Sequence, residues 1–237
     1  MFASLTPACL AHHLFPEITV ESIQKLAEEA LSRLQIVTLV HGNLSQSAAV
    51  DLQKVVEDTL APSPLTAKEK ESELSLYLPE ASQHIWDFPL PNTANPNSGV
   101  DYYVQLGSST SSTLRPLSSL FAQIAKEPCF DTLRTKEQLG YLVSSGSRSH
   151  AGTVGFHILV QSNNEAKYIE ERIESFLEGM EQVLEGMSED EFGKQKQSLV
   201  DQKRMKVKNL YEESSRLWRS IQDGYYDFDR RELVASH

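Results

Sequence analysis

The stretch Glu127–Tyr141, with the sequence EPCFDTLRTKEQLGY, constrains the fold more than any other part of the chain. Pro128 suits the first turn of a helix, where its missing N–H costs nothing, and Gly140 suits the left-handed cap that ends one. The run that begins at Tyr141 alternates in the way a β-strand does. The stretch therefore predicts a short helix followed directly by a strand, with Arg134 and Tyr141 at the corner between them.

The spacing within this helix predicts how its side chains are distributed. Phe130, Leu133 and Arg134 are three or four residues apart, so an α-helix would place them on one broad face. Phe130 and Leu133 are then expected to anchor the helix to the rest of the domain.

Arg134 and Tyr141 together suit one chemical task. Arginine is a permanent cation with a forked set of donors, and a tyrosine phenol stays protonated at neutral pH and also donates. Two such donors aimed at one point would stabilise the oxyanion of a tetrahedral intermediate in acyl transfer, where one donor is worth about 3 kcal/mol. Ordinary roles stay open, with Arg134 paired to Glu137 or Asp131 on its own helix and Tyr141 half-buried in a strand.

The run EPCFDTLRTKEQLGYLV resembles the C-terminal half of the pitrilysin-type zinc peptidases, the family that includes insulin-degrading enzyme. The similarity continues in register through residues 146–187 and reaches Trp218 and YYDFDR at residues 225–230. On the N-terminal side it includes LVHGNLSQSAAVDLQKVVEDTL at residues 39–60. The resemblance covers nearly the whole chain and implies an α+β fold, in which helices cover an antiparallel sheet as in the processing peptidases.

Composition excludes several classes of protein. The net charge of −11 and the pI of about 5.1 argue against a nucleic-acid-binding protein, which normally has a basic surface. Cys9 and Cys129 fit neither a disulfide framework nor a cysteine zinc site, which favours a reducing, cytoplasmic location. No apolar run approaches the roughly 20 residues that span a membrane, and the first residues lack the basic region of a secretory signal.

The chain is expected to contain two domains. The sequence APSPLTAKEK has two prolines and scattered charge, which predicts a linker at residues 62–71. Residues 1–61 are interpreted as the end of a preceding pitrilysin-like domain, with a helix capped by Thr19, a strand over Leu34–Val40 and a helix capped by Ser45. Residues 72–237 are interpreted as a C-terminal pitrilysin-like domain, truncated at its own C-terminus.

Within residues 72–237, alternating apolar residues predict five strands, the last two forming a hairpin joined by SRSHAG. These strands are Leu74–Leu78, His84–Leu90, Gly99–Leu106, Tyr141–Ser145 and Val154–Ser162. No helix separates the first three, which favours an antiparallel sheet.

Helices are predicted around this sheet from apolar residues at helical spacing. The first covers Thr113–Lys126 with Leu117 among its inward residues, and the second covers Glu165–Met187. A capping box of Ser188 and Glu191 begins a third, which is expected to bend near Asn209 and pass Trp218. The last residues are expected to begin a further helix.

The chain lacks the zinc motif of the family it resembles. Pitrilysin-type peptidases bind zinc through His-x-x-Glu-His on a helix and a distant glutamate. None of the seven histidines has this spacing, and the adjacent His12 and His13 are interpreted as the end of an element, with metal binding as the alternative. Zinc is therefore expected in the parent enzyme, and this chain is expected to bind none.

The resemblance assigns roles to three residues of the central stretch. Arg134 and Tyr141 match family residues that approach the scissile carbonyl, so catalytic and substrate-binding roles are implied for both. Phe130 matches a phenylalanine that lines the pocket beside them, although an ordinary core position is equally consistent with its sequence context.

A basic cluster near the C-terminus matches a polyanion site of the family only in part. Its members are Lys203, Arg204, Lys206 and Lys208. Lys206 and Lys208 match basic positions of the family site, whereas Asn209 replaces a lysine. The alternative is a solvated charged face, which is the usual role of charge runs on helices.

These observations lead to one expected function and two competitors. The chain is expected to be the C-terminal, non-zinc portion of a zinc metalloendopeptidase, inactive alone and completed by the zinc-bearing N-terminal half of the same polypeptide. Peptide substrates are the expected ligands, a homodimer stays open, and nucleic acid and membrane are not expected partners. The competitors are a non-catalytic peptide-binding or scaffold module of the same fold, and an acidic structural subunit of a processing complex.

Overall fold

The computed structural model describes residues 18–66, 68–69, 75–90, 92 and 94–236. The chain divides into two compact units, residues 1–72 and residues 73–237. His12 and His13 lie outside the described residues.

The first unit contains two capped helices. Helix α1 spans Val20–Ser32, and the Thr19 hydroxyl accepts a hydrogen bond from the backbone N–H of Ser22. Helix α2 spans Gln46–Leu60, and the Ser45 hydroxyl accepts from the N–H of Ala48. Both predicted caps are confirmed, because each places a side-chain oxygen over N–H groups that have no partner within the helix.

The strands of the first unit are shorter than predicted. Strand β1 is only Arg33–Leu34 and pairs in parallel with β2, Ser63–Pro64, which lies inside the expected linker. The predicted strand over Leu34–Val40 is therefore wrong beyond its first residue. Pro64 has no N–H to donate, and beyond it only Leu65 N–H still bonds to the Leu34 carbonyl (3.3 Å). A run of β-branched residues without a partner strand stays irregular.

The second unit is built on a three-stranded antiparallel sheet. Its strands are β3 (Ser98–Ser108), β4 (Leu142–His150) and β5 (Thr153–Ser162), in the order β3-β5-β4. The expected α+β class, the third predicted strand and the hairpin are confirmed. The hairpin loop is shorter than SRSHAG, because strand pairing continues to His150 and only Ala151 and Gly152 remain to turn the chain. Both have positive φ, 43° and 95°, as a tight two-residue hairpin turn requires.

Residues 75–90 form no strand, so the predictions for Leu74–Leu78 and His84–Leu90 are wrong over their described residues; Leu74 lies outside these. The segment has no neighbouring strand to complete a ladder, and the side chains of Leu76 and Trp86 are 84% and 85% exposed. Its first part is instead held by individual hydrogen bonds. Gln105 Oε1 accepts from Leu78 N–H (2.9 Å), and Gln105 Nε2 donates to the Leu76 carbonyl (3.0 Å). Ser75 N–H and the Tyr77 hydroxyl donate to the carbonyls of Ala151 (3.2 Å) and Gly152 (3.1 Å) in the hairpin turn.

Two helices of the second unit lie between β3 and β4, and the others follow β5. The helices are α3 (Leu114–Cys129), a π-helix (Phe130–Lys136), α4 (Ala166–Glu185), α5 (Glu189–Arg204), α6 (Leu210–Gln222) and α7 (Arg230–Ala235). The capping box of Ser188 and Glu191 is confirmed, and so is a helix near the C-terminus. The expected bend near Asn209 is a complete break, because its side chain caps α6 by accepting from Glu212 N–H (2.9 Å).

The core lies between one face of the sheet and the helices α3, α4 and the π-helix. Its members include Leu133, Val143, Phe156, Ile158, Val160, Ile169, Ile173, Phe176 and Met180. On α3 the prediction for Leu117 is wrong, since its side chain is 55% exposed. Ser118 is buried in its place and hydrogen-bonds to Ser147 of β4 (2.6 Å between the hydroxyl oxygens).

Pro128 does not begin a new helix, as was predicted, but lies in the last turn of α3, which continues directly into the π-helix. A proline inside a helix lacks the N–H that would bond to the carbonyl four residues earlier, and its ring crowds that carbonyl. The wider turn that follows has hydrogen bonds over five residues, such as Glu137 N–H to Thr132 O (2.9 Å). We attribute the change of helix type to Pro128.

The corner after the π-helix is formed differently from the prediction. Gln138, with φ of 50°, takes the left-handed conformation that was assigned to Gly140, and Leu139 N–H then donates to the Leu133 carbonyl (2.9 Å). Gly140 lies so close to β5 that a Cβ atom on it would be 2.0 Å from the carbonyl oxygen of Gln161. Glycine is therefore needed here for close approach, because any side chain would collide with the strand.

The substitution Gly140→Ala tests this close approach. We expect it to lower the free energy of unfolding by at least about 2 kcal/mol, because the β5 backbone must move to admit the methyl group. Urea denaturation of the purified chain measures the change. Gly193→Ala on α5 is the matched control, since nothing lies within 4 Å of its added Cβ and alanine favours a helix by about 0.5–1 kcal/mol. A Gly140→Ala chain as stable as the control would contradict the account.

Candidate functional site

The π-helix has an inward and an outward side, and the predicted single face is wrong. Leu133 is fully buried in the core, whereas the Phe130 side chain is 53% exposed. Arg134 is only partly buried. The wider turn of a π-helix rotates residues three apart away from each other, which separates Phe130 from Leu133. Phe130 is thus not an ordinary core residue.

Arg134 does not form either of the ion pairs that were left open for it. Asp131 pairs with Lys136 (2.7 Å from Oδ2 to Nζ). Glu137 pairs with Arg172 of α4 through two hydrogen bonds, 2.9 Å from Nε to Oε2 and 2.7 Å from Nη2 to Oε1. Arg134 makes no hydrogen bond or ion pair with any residue in the described part of the chain. Its guanidinium donors are therefore available to a ligand.

Tyr141 lies where the corner meets the sheet. It directly precedes β4, against which the π-helix packs, and its side chain is 62% exposed. Its phenol forms no hydrogen bond to the residues that the structure describes. Tyr141 is therefore not the half-buried strand residue of the ordinary interpretation, and neither it nor Arg134 is turned into the packed interior.

Cys129, next to Phe130, has the opposite environment. It is a free cysteine, 1% exposed, at the end of α3. Burial raises the pKa of its thiol, which keeps the sulfur protonated and unreactive as a nucleophile at neutral pH. Cys129 therefore supplies no thiolate to the corner.

The members of the basic cluster differ in their pairing and burial. Arg204 is paired with Glu232 of α7 (2.6 Å). Lys203 is partly buried, and that burial, with Arg231 and Arg230 nearby, lowers the pKa of its ammonium group. Lys206 and Lys208 are exposed on the segment between α5 and α6. The two lysines that match the family site are thus the two with the greater freedom to meet an anion.

Sequence reasoning missed the contacts that support the corner. Arg172 is 35 residues from Glu137, so no local spacing could pair them. The Leu139 carbonyl accepts from the Ser162 hydroxyl and from Asn164 Nδ2 (3.3 Å), which fixes the corner to the end of β5. The amphipathic pattern of α4 was the one available signal, because it predicts which side of that helix carries Arg172.

Among the residues that the structure describes, no group of three or more His, Cys, Asp or Glu side chains is placed to hold a metal ion. None of the described helices is long and apolar enough to cross a membrane.

Known proteins are similar to the part of the chain that contains the corner. A family model described as the C-terminal lobe domain 4 of PQQ synthase PqqF-like proteins matches residues 120–218, which include the corner. Insulin-degrading enzyme from Bos taurus is 36% identical over 225 residues, covering 93% of this chain and 22% of the enzyme. The A-factor-processing enzyme of Saccharomyces cerevisiae is 36% identical over 223 residues, with 94% and 22% covered. The chain thus spans about a fifth of the length of these relatives.

Solved structures agree on the fold. A crystal structure of pitrilysin has a TM-score of 0.71 at 22% identity, covering 100% of this chain and 24% of pitrilysin. A peptidase M16 inactive domain from Pseudomonas fluorescens has a TM-score of 0.51 at 20% identity, with 93% and 54% covered. The resemblance seen in the sequence is confirmed: the chain is similar over more than 90% of its length to insulin-degrading enzyme, and it shares the fold of the matching part of pitrilysin.

Proposed function

We propose that this chain is the C-terminal, non-zinc portion of a zinc metalloendopeptidase, and that it supplies transition-state contacts from Arg134 and Tyr141. The observation that carries the proposal is the state of Arg134: both neighbouring carboxylates are paired with other cations, and its own donors are unused among the described residues. A partly exposed guanidinium in this condition is suited to bind an anionic group.

The chemistry follows from the two donors. When water attacks a peptide carbonyl, negative charge develops on the carbonyl oxygen, and the Arg134 guanidinium and the Tyr141 phenol would both donate hydrogen bonds to it. Donors that are fixed before the reaction stabilise this charge without further reorganisation. The exposed ring of Phe130 would contact an apolar side chain of the peptide beside the scissile bond.

We propose that zinc and the water that it activates are held by the N-terminal half of the same polypeptide, since the sequence of this chain contains no His-x-x-Glu-His motif. The role of the present chain is to enclose the peptide and to orient its carbonyl. We place this peptide breakdown in the cytoplasm, a location that the lack of a cysteine framework favours.

Complementation tests the proposal directly. We expect the purified chain alone to cleave no peptide and a mixture with the zinc-bearing half of its parent to regain cleavage. Tyr141→Phe should then lower kcat/KM by about 100-fold, because one oxyanion donor is lost. Tyr211→Phe on α6, a more exposed tyrosine, is the control and should restore cleavage as well as the unmodified chain. If Tyr141→Phe restores as much cleavage as the unmodified chain, the phenol has no part in the mechanism.

The second candidate is a non-catalytic module that encloses or presents peptides. It is favoured by the likeness in fold to a domain described as inactive. Such a module would bind peptides but would restore no cleavage to any zinc-bearing half. The same mixing experiment therefore separates the two functions, while tight co-purification with a zinc-bearing partner would indicate the third, a structural subunit.

We also propose that Lys206 and Lys208 bind polyanions. Replacing both with glutamine should weaken the binding of inorganic polyphosphate by about 30-fold at low salt, because each exposed charge pair contributes about 1 kcal/mol in water. The difference should shrink as salt increases. Lys126→Gln with Lys167→Gln, at exposed positions elsewhere on the second unit, is the matched control. Equal loss from both pairs would indicate a nonspecific effect of net charge.

A further inference from the structure

The phenol of Tyr141 is held by no hydrogen bond to the residues that the structure describes, and the residue is largely exposed. Its direction therefore depends on the backbone of Tyr141 and on the rotamer of the side chain. A fixed backbone confines the hydroxyl to the few positions that staggered rotamers allow, whereas a mobile backbone spreads it over many more. The contacts that fix the backbone before Tyr141 therefore decide where the phenol lies.

Leu139, two residues before Tyr141, is held by its side chain and by both of its backbone polar groups. The side chain lies in the core, and the N–H donates to the Leu133 carbonyl (2.9 Å). The carbonyl accepts from the Ser162 hydroxyl and from Asn164 Nδ2 (3.3 Å). Because a peptide unit is planar, fixing this carbonyl also fixes the next Cα atom, one residue before Tyr141.

Ser162 and Asn164 form a closed hydrogen-bond network around this carbonyl. The Ser162 hydroxyl donates to the Leu139 carbonyl and accepts from the backbone N–H and from Nδ2 of Asn164, both at 3.0 Å. A hydroxyl has one donor and two acceptor positions, so this one is fully used. Ser162 is 1% exposed, so water does not take the place of a partner that is lost. The network therefore sets the direction of the carbonyl.

The backbone just before Leu139 has an unfavourable conformation. Gln138 has φ of 50°, in the left-handed region that residues with a side chain seldom adopt. Such a conformation persists only where the surrounding contacts over-determine it, and it is often found at functional sites. The hydrogen bonds to the Leu139 carbonyl contribute to this restraint. Without them the corner should relax, and Tyr141 should move with it.

We propose that Ser162 and Asn164 are positioning residues that fix the Tyr141 phenol through the Leu139 carbonyl. Strand β4 begins one residue after Tyr141 and pairs there with the end of β5, which carries Ser162. The use of the phenol on a scissile carbonyl rests on the proposed function. The effect of Ser162 and Asn164 on the mobility of Tyr141 does not, and it can be measured by itself.

NMR of the ¹⁵N-labelled chain measures this effect first in Asn164→Ala, an exposed position where the core stays intact. We expect the Leu139 amide to exchange with deuterium about fivefold faster, the factor that corresponds to one hydrogen bond of ordinary net strength. The transverse relaxation of the Tyr141 amide should change as well, because its backbone becomes mobile. Asn163→Ala is the matched control, since this neighbour is also exposed and its side chain makes no hydrogen bond to the described residues.

Ser162→Ala removes the central hydroxyl and should have a larger effect of the same kind. Ser118→Ala on α3 is its matched control, because Ser118 is equally buried and also loses a hydrogen bond to the sheet. Both substitutions should lower the midpoint of thermal unfolding, but only Ser162→Ala should affect Leu139 and Tyr141. The inference fails if neither amide changes in Ser162→Ala, or if the control changes them equally.

Peptide cleavage in the mixture with the zinc-bearing half separates positioning from a general loss of structure. Ser162→Ala should lower kcat by about tenfold with little change in KM, which is part of the about 100-fold loss expected without the phenol. In a Tyr141→Phe chain the same substitution should lower kcat no further, because no hydroxyl remains to be positioned. An equal loss in both chains would mean that Ser162 acts independently of the phenol, contrary to the inference.

The two readouts keep the inference separate from the proposed function. If no mixture cleaves peptides, the proposed function fails, while amide exchange and relaxation still decide whether Ser162 and Asn164 fix Tyr141.

Discussion

The close contact between Gly140 and the carbonyl of Gln161 is the constraint on which the corner depends. Because of this contact, the chain that follows the π-helix packs against the end of β5. There the side chains of Ser162 and Asn164 donate hydrogen bonds to the Leu139 carbonyl. The start of β4 is fixed by the same contact, and with it the position of Tyr141. A bulkier residue at Gly140 would therefore displace the phenol as well as the strand.

The π-helix determines which side chains of the corner are exposed. Pro128 interrupts the hydrogen bonding of α3, and the wider turn that follows buries Leu133 while Phe130 stays exposed. The nearby carboxylates are held by Lys136 and by Arg172. The result is a partly exposed guanidinium without an internal partner among the described residues, next to a core that is otherwise well packed.

Local signals in the sequence predicted local structure well. The caps at Thr19, Ser45 and Ser188 were correct because a side-chain oxygen acts on N–H groups two or three residues away. Predictions that needed a distant partner failed. Residues 84–90 alternate like a strand but have no ladder to join, and the roles of Gly140 and Arg172 depend on residues of β5 and the π-helix, which local spacing does not bring together.

If Arg134 and Tyr141 donate to the same oxygen, a double-mutant cycle shows it most directly. The measurement is the affinity of the reconstituted enzyme for a peptide analogue of the tetrahedral intermediate, with Arg134→Lys, Tyr141→Phe and the two combined. Two donors to one oxygen should show a coupling energy of about 1 kcal/mol or more. Losses that add to within about 0.5 kcal/mol would mean that the two side chains act independently, which would contradict the account.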